Sequence, residues 1–215
     1  MQLARMLVSM SCAALALLPG CATAPARGEA TSRADDAESI EAVVVHPIFA
    51  SRFETNEHWA GQVSEPGDAL GSDCVVARLV EENGRLWLRK YRGDGARNED
   101  WYGWRREVLS PISGEVVKIH ENPKTNEPGV LGEGMATIVE LQRADGVHVW
   151  VVHLQEIRVQ VGDRVAAGQP IGLVGNNGQS RHPHIHVGAW RDGRPLQIRF
   201  DLKAIAELAK REIDQ

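Results

Sequence analysis

From position 41 onward the chain alternates short apolar runs with polar or glycine-rich breaks. Runs such as "EAVVVHPIFA", "SPISGEVVKI", "MATIVELQ", "VHVWVVHL", "RVAAGQPIGLVG" and "HIHVGAW" are strand-length and rich in valine and isoleucine, which fits a pleated, half-buried surface. "CVVARLVEENGRLWLRKY" carries apolar positions on both sides of Asn83-Gly84, a dipeptide suited to the type I′ turn of a hairpin. No alternation of strand with helix runs through the chain, and no internal repeat is visible. The pattern therefore predicts an all-β, mainly antiparallel fold. One helix is expected at the end: "LKAIAELAKREI" follows Asp201, a suitable N-cap, and sets Leu202, Ile205, Ala209 and Ile213 on one stripe. The segment "HENPKTNEPGVLGEG" is too long for a simple turn. It is read either as a lip beside a site or as a surface insertion.

The first forty residues follow another pattern. Arg5 precedes "MLVSMSCAALALL", an apolar stretch too short to span a bilayer and suited to a signal-peptide core. It ends in "LLPGC", which resembles a bacterial lipobox with Cys21 as the acylated residue. Residues 1–20 are thus expected to be a lipoprotein signal peptide. Residues 21–41, small, polar and charged, read as a flexible tether. The resulting expectation is an exported protein, lipid-anchored at the membrane and facing the periplasm, on the outer membrane in a Gram-negative host. Of three cysteines, Cys12 lies in the signal and Cys21 takes the lipid. Only Cys74 remains, so no internal disulfide forms, and Cys74 is expected to be buried. The formal net charge of −5 and the lack of a Lys/Arg run argue against a nucleic-acid partner.

The histidines bring the chemistry. On a strand, residues two apart share a face. His182, His184 and His186 in "RHPHIH" would therefore point the same way, and His153 would share a face with Val149 and Val151, opposite His148. Single strand histidines are usually structural. Several converging in one sheet can hold zinc, whose catalytic sites take about three protein ligands and leave one position open.

The chain resembles the lysostaphin/LytM-type zinc peptidases, which cut peptide cross-links of peptidoglycan. "HLQEIRVQVGDRVAAGQPIGLVGNNGQS" is similar to the family's H-L followed by V-x-x-G-D-x-V-x-x-G-Q-x-I-G-x-x-G-x-x-G-x-S. "PHIHV" is similar to P-H-L-H-F, and "VLSPISGEVV" to V-x-A-P-x-x-G-x-V. The resemblance runs from about residue 98 to 200 and implies a LytM-like peptidase domain over 98–200. That domain would follow a small N-terminal β region over 42–97 and precede the C-terminal helix, 201–215. It implies one zinc ion, with His186 as a ligand and His153 and His184 as the catalytic pair. His182 has no counterpart in the pattern and reads as a loop-edge residue.

The remaining ligands would come from an H-x-x-x-D motif just before "VLSPISG". Asp100 stands near the right place, but Ala96 occupies the histidine position. The expected metal set is therefore Asp100 and His186, with Asn98 as candidate third ligand and His46, His58 or Cys74 as alternatives. Fewer protein ligands, or an empty site in a murein-binding domain, are the other readings. The function expected is zinc-dependent endopeptidase action on peptidoglycan cross-links. The alternative is a non-catalytic murein-binding protein or an activator of a cell-wall amidase.

Overall fold

The structure, a computed structural model, describes residues 39–213. The expected signal peptide, the lipid site at Cys21 and most of the tether lie outside these residues. Strands β1 (Ala42–Val45), β2 (Phe53–Glu57) and β3 (Ser72–Val76) come first. They are followed by the hairpin β4 (Arg78–Glu82) and β5 (Arg85–Arg89). Next come β6 (Glu107–Leu109), β7 (Gly114–His120), β8 (Ile138–Gln142), β9 (His148–Val152) and β10 (Leu154–Gln155). The chain closes with β11 (Arg164–Val165), β12 (Pro170–Val174), β13 (Ile185–Arg191), β14 (Arg194–Phe200) and helix α1 (Leu202–Ile213). The all-β expectation holds, with α1 the one α-helix among the described residues.

A nine-stranded sheet dominates, in the order β1-β14-β13-β9-β8-β7-β11, with β2 and β3 branching from β13. The branch arises because β13 gives one edge to β9 and divides the other. Its start, residues 185–187, pairs with β3, and its end, 189–191, pairs with β14. Strands of the expected N-terminal β region thus build into the same sheet as those of 98–200. A small sheet, β10-β12-β6, lies apart from it, and β4-β5 pair only with each other.

Strand alternation decides the two faces of the large sheet. Val149, Val151, Ile185, Val187, Ala189, Val139, Leu141 and Cys74 face a single core closed by Ile171, Val174, Leu154 and Val108 from the small sheet. Burying such side chains stabilises the fold by roughly 1.5–3 kcal/mol each. Cys74 is fully buried, and burial pushes its thiol well above the ordinary range. The alternate positions, Asp73, Ile138, Trp150, Val152 and His186, line a cleft on the other face. Helix α1 begins where expected: the Asp201 carboxylate accepts from the backbone N–H of Lys203 at 2.8 Å and of Ala204 at 3.3 Å.

Candidate metal centre and its histidines

The cleft has a volume of about 950 Å³ and gathers His58, Asp68, Asp73, His153, His182, His184 and His186. Each arrives for a local reason. Asp73 and His186 are register partners on adjacent antiparallel strands, β3 and β13, so both side chains leave the same face side by side. His58 follows the end of β2. The loop after it returns over the sheet at Gly67, so close that a Cβ there would lie 2.4 Å from the Trp150 ring. A Cβ on Gly188 beneath it would lie 2.0 Å from the Gly67 carbonyl oxygen. These two glycines let the loop lie flat on the sheet, which brings Asp68 against His186.

His153 departs from expectation in an informative way. Alternation from Val149 and Val151 would send it into the core. Instead β9 ends at Val152 and His153 takes φ +68°, the left-handed region seldom used by bulky residues. The turn swings the ring into the cleft, with its centroid 4.5 Å from that of His184. Asn177 holds this corner. Its backbone carbonyl faces His153 Nδ1 at 2.8 Å, its amide donates to the Leu154 carbonyl at 2.8 Å, and its side-chain oxygen accepts from the Thr137 N–H at 2.7 Å.

Hydrogen-bond partners fix the imidazole tautomers, because a backbone carbonyl can only accept. His153 Nδ1 donates to Asn177 and His184 Nδ1 donates to the His182 carbonyl at 2.9 Å. His58 Nδ1 donates to the Asp68 carbonyl at 2.9 Å, and His186 Nε2 lies 3.3 Å from the Gly67 carbonyl. The nitrogens left over converge on one carboxylate. His186 Nδ1 is 3.0 Å from Asp73 Oδ1, His58 Nε2 is 3.6 Å from Oδ2, and His184 Nε2 is 3.7 Å from Oδ1. Bare nitrogens and a carboxylate are all acceptors, so their convergence calls for a cation among them.

In the metal-free protein protons fill that role. The hydrogen bond to Asp73 raises His58 to about 9 against the opposing effect of burial. Burial alone would raise the Asp73 carboxyl, but hydrogen bonds from His186 and His58, with the His184 and His186 rings close by, outweigh it and hold it far below the usual range. His184 and His153 go the other way. Burial lowers His184 to about 4, and burial followed by the charge of His184 holds His153 well below its ordinary value. Both are therefore neutral at pH 7.

The donor set is also of the kind that holds a metal ion. Nitrogen and oxygen ligands about 2.0–2.1 Å from zinc in a tetrahedron sit about 3.4 Å apart, and His186 Nδ1 and His58 Nε2 stand 3.0 and 3.6 Å from the two oxygens of Asp73. His58, Asp68 and His186 can also bring one ligand atom each within 4.8 Å of one another. The tautomers nevertheless favour Asp73 as the ligand. Asp68 Oδ1 faces the N–H-bearing side of both rings, at 3.5 Å from His58 Nδ1 and 3.3 Å from His186 Nε2. That is the position of an outer carboxylate that orients ligating histidines.

The structure brings His153, His184 and His186 together as expected, but not Asp100 or Asn98. Asp100 closes a short 3-10 turn, Asn98–Asp100, where its carboxylate accepts from the Arg97 N–H at 3.0 Å. The Asn98 amide donates to the Asn126 carbonyl at 2.8 Å, and its oxygen accepts from Asn176. Asp73, not Asp100, lines the cleft beside His186. It was missed because the β4–β5 hairpin and the turn after it separate β3 from "VLSPISG", whereas the motif was sought directly before that segment. "ALGSDC" held the signal: four residues before Asp73 stands Ala69 where the motif has histidine. His182, expected at the margin, lies in the cleft wall with its ring stacked on Trp101 at 4.5 Å and 9°. His46 bonds the adjacent Pro47 carbonyl and does not line the cleft.

Residues 103–198 match Peptidase family M23. The glycyl-glycine endopeptidase ALE-1 of Staphylococcus capitis is 42% identical over 74 residues, which is 34% of this chain and 20% of that protein. The peptidoglycan DD-endopeptidase ShyA of Vibrio cholerae is 32% identical over 78 residues, 36% of this chain and 18% of that protein. Stage II sporulation protein Q of Bacillus subtilis is 32% identical over 107 residues, 48% of this chain and 34% of that protein. The chain thus spans only a minor part of each of these relatives.

Proposed function

We propose that the protein is a zinc-dependent endopeptidase that cleaves peptide cross-links of peptidoglycan, a reading supported by the match of residues 103–198 to Peptidase family M23. The observation that carries this reading is the convergence of bare ring nitrogens from His186, His58 and His184 on the Asp73 carboxylate. Asp73, His186 and His58 would hold the ion, with Asp68 behind the two rings. A zinc ion held there supplies Lewis-acid chemistry, acidifying water and polarising a carbonyl oxygen. His184 and His153 are neutral, each with Nδ1 committed to a carbonyl and Nε2 free. Both Nε2 atoms are acceptors, placed to take the proton of the attacking water. A ring protonated in that step then donates where charge develops on the scissile carbonyl or at the leaving amine. Two relatives bear endopeptidase names, one of them a peptidoglycan DD-endopeptidase, which supports the substrate class. The location proposed is the cell envelope, with Cys21 as the lipid site.

One observation favours a second reading, a non-catalytic murein-binding or amidase-activating protein. Ala69 stands where the H-x-x-x-D motif has its histidine, and the compensating His58 comes from outside that motif. The discriminating experiment measures zinc in the purified protein and digests purified murein with it. Stoichiometric zinc and new muropeptides support the peptidase. No zinc uptake and no new muropeptides, with metal supplied, would leave the binding reading.

A further inference from the structure

Among the described residues the β4–β5 hairpin pairs with no other strand, and its two faces differ sharply. The register Leu79↔Leu88 and Glu81↔Leu86 places three leucines on one face, with the exposed Glu81 beside them. They are 51%, 41% and 67% exposed for Leu79, Leu88 and Leu86. The other face holds Arg78, Val80, Glu82, Arg85, Trp87 and Arg89, with the Arg89 guanidinium 5.7 Å over the Trp87 ring and 2.6 Å from the Glu82 carboxylate. At its base Arg89, Arg92, Tyr91 and Tyr102 line a niche of about 320 Å³. Residues 78–92 carry five cations against two carboxylates, in a chain whose formal net charge is −5. An exposed leucine face backed by arginines and tryptophan is the composition of an element that lies in a membrane interface.

We infer that the β4–β5 hairpin docks on an anionic phospholipid surface. Its leucine face enters the boundary between headgroups and acyl chains, and Arg78, Arg85, Arg89 and Arg92 sit among the phosphates. The charge balance selects this occupant. Arg89 and Lys90 already pair with Glu82 and Glu54. A second copy would bring five cations against five, and an apolar protein groove would offer no counter-charge to Arg78, Arg85 and Arg92. Anionic headgroups answer both faces at once. The surface is separate from the histidine cleft, so the inference stands whether or not the protein is a peptidase. It also stands without the lipid expected at Cys21, which would only hold the hairpin near such a surface.

The test is local. The full chain, with Cys12→Ala and Cys21→Ala, carries an environment-sensitive fluorophore at Leu86→Cys or, as control, at Asp192→Cys in the β13–β14 turn. Cys74 is buried and stays unlabelled. With phosphatidylglycerol vesicles the label at 86 shifts to the blue, while the label at 192 does not. Adding Leu79→Ser and Leu88→Ser weakens the apparent vesicle affinity read at 86 by about tenfold. An unshifted label at 86 overturns the inference. So does an equal shift with phosphatidylcholine, or a shift that needs no vesicles and grows with protein concentration, which would mean that a second copy covers the face.

Discussion

Asp73 and His186 face each other as register partners on β3 and β13, with Oδ1 3.0 Å from Nδ1. Their pairing follows from strand register alone, and it makes Asp73 the centre of the site. Replacing Asp73 with Asn should lower zinc affinity by more than about 100-fold, beyond the loss usual for an outer residue. Asp100→Asn, in its capping turn, should leave zinc bound. Titration of both variants with a zinc indicator measures the difference, and loss of zinc in Asp100→Asn alone would reverse the assignment.

His58 should behave as a ligand although it lies 128 residues from His186. Its Nε2 faces Asp73 while Nδ1 is tied to the Asp68 carbonyl. His58→Ala should reduce both zinc content and murein hydrolysis, and His46→Ala should change neither. Metal analysis of the purified variants checks this. Full zinc occupancy in His58→Ala would point to His184 as the third ligand instead.

How far the sequence disclosed these features follows from the range of the interactions behind them. The β architecture, the Asn83-Gly84 hairpin and the helix after Asp201 rest on periodicity and turn chemistry within a few residues, so they could be read directly. Asn83 and Gly84 indeed take φ +54° and +71°, as a type I′ turn requires. His153, His184 and His186 were legible through their spacing and motif. Asp73 was not, because an inserted hairpin breaks the spacing by which an H-x-x-x-D motif is located. Nor was the orientation of His153 accessible, since one left-handed residue at the end of β9 overrides the alternation that strand reading assumes. His182 gained its place only through a tertiary stack with Trp101.

That stack should matter to the chemistry. The His182 carbonyl accepts from His184 Nδ1 at 2.9 Å and from Ser180 Oγ at 2.8 Å, and the His182 ring is held by Trp101. Trp101→Ala should loosen the tautomer-fixing carbonyl and lower kcat by about tenfold, at the lower end of what general acid–base catalysis contributes. Zinc content should stay unchanged, and Trp101→Phe, which keeps a stacking ring, should retain most activity. Equal loss in both variants would show that the stack itself is not what counts.

The metal-free protein should be most stable near pH 6.5 as far as these histidines decide it. A histidine with a depressed folded-state pKa binds its proton more readily in the unfolded chain. For His184, lowered to about 4, stability is present above pH 6.5 and is lost as pH falls from 6.5 to 4. The shift corresponds to about 3 kcal/mol at its low-pH limit, and His153 acts in the same direction. His58, raised to about 9, contributes stability below pH 6.5 that is lost as pH rises through 9. Urea denaturation of zinc-free protein across pH 4–10 measures both limbs. His184→Gln should shrink the acid limb to the part His153 contributes and leave the alkaline one.

The clearest separation of binding from chemistry lies in His153 and His184. Both are buried and neutral with Nε2 free in the cleft, and neither is needed to complete a set of Asp73, His186 and His58. His153→Ala and His184→Ala should therefore keep their zinc while murein hydrolysis falls by about 10²–10⁴-fold, the usual contribution of general acid–base catalysis. If they act as a unit, with rings 4.5 Å apart, the double variant should lose little more than either single one. Zinc analysis, circular dichroism and muropeptide release on the same preparations distinguish the cases. Loss of zinc in His184→Ala would move that residue into the ligand set. Retained zinc with unchanged hydrolysis in both variants would remove the proposed proton-handling role and leave the metal to act alone.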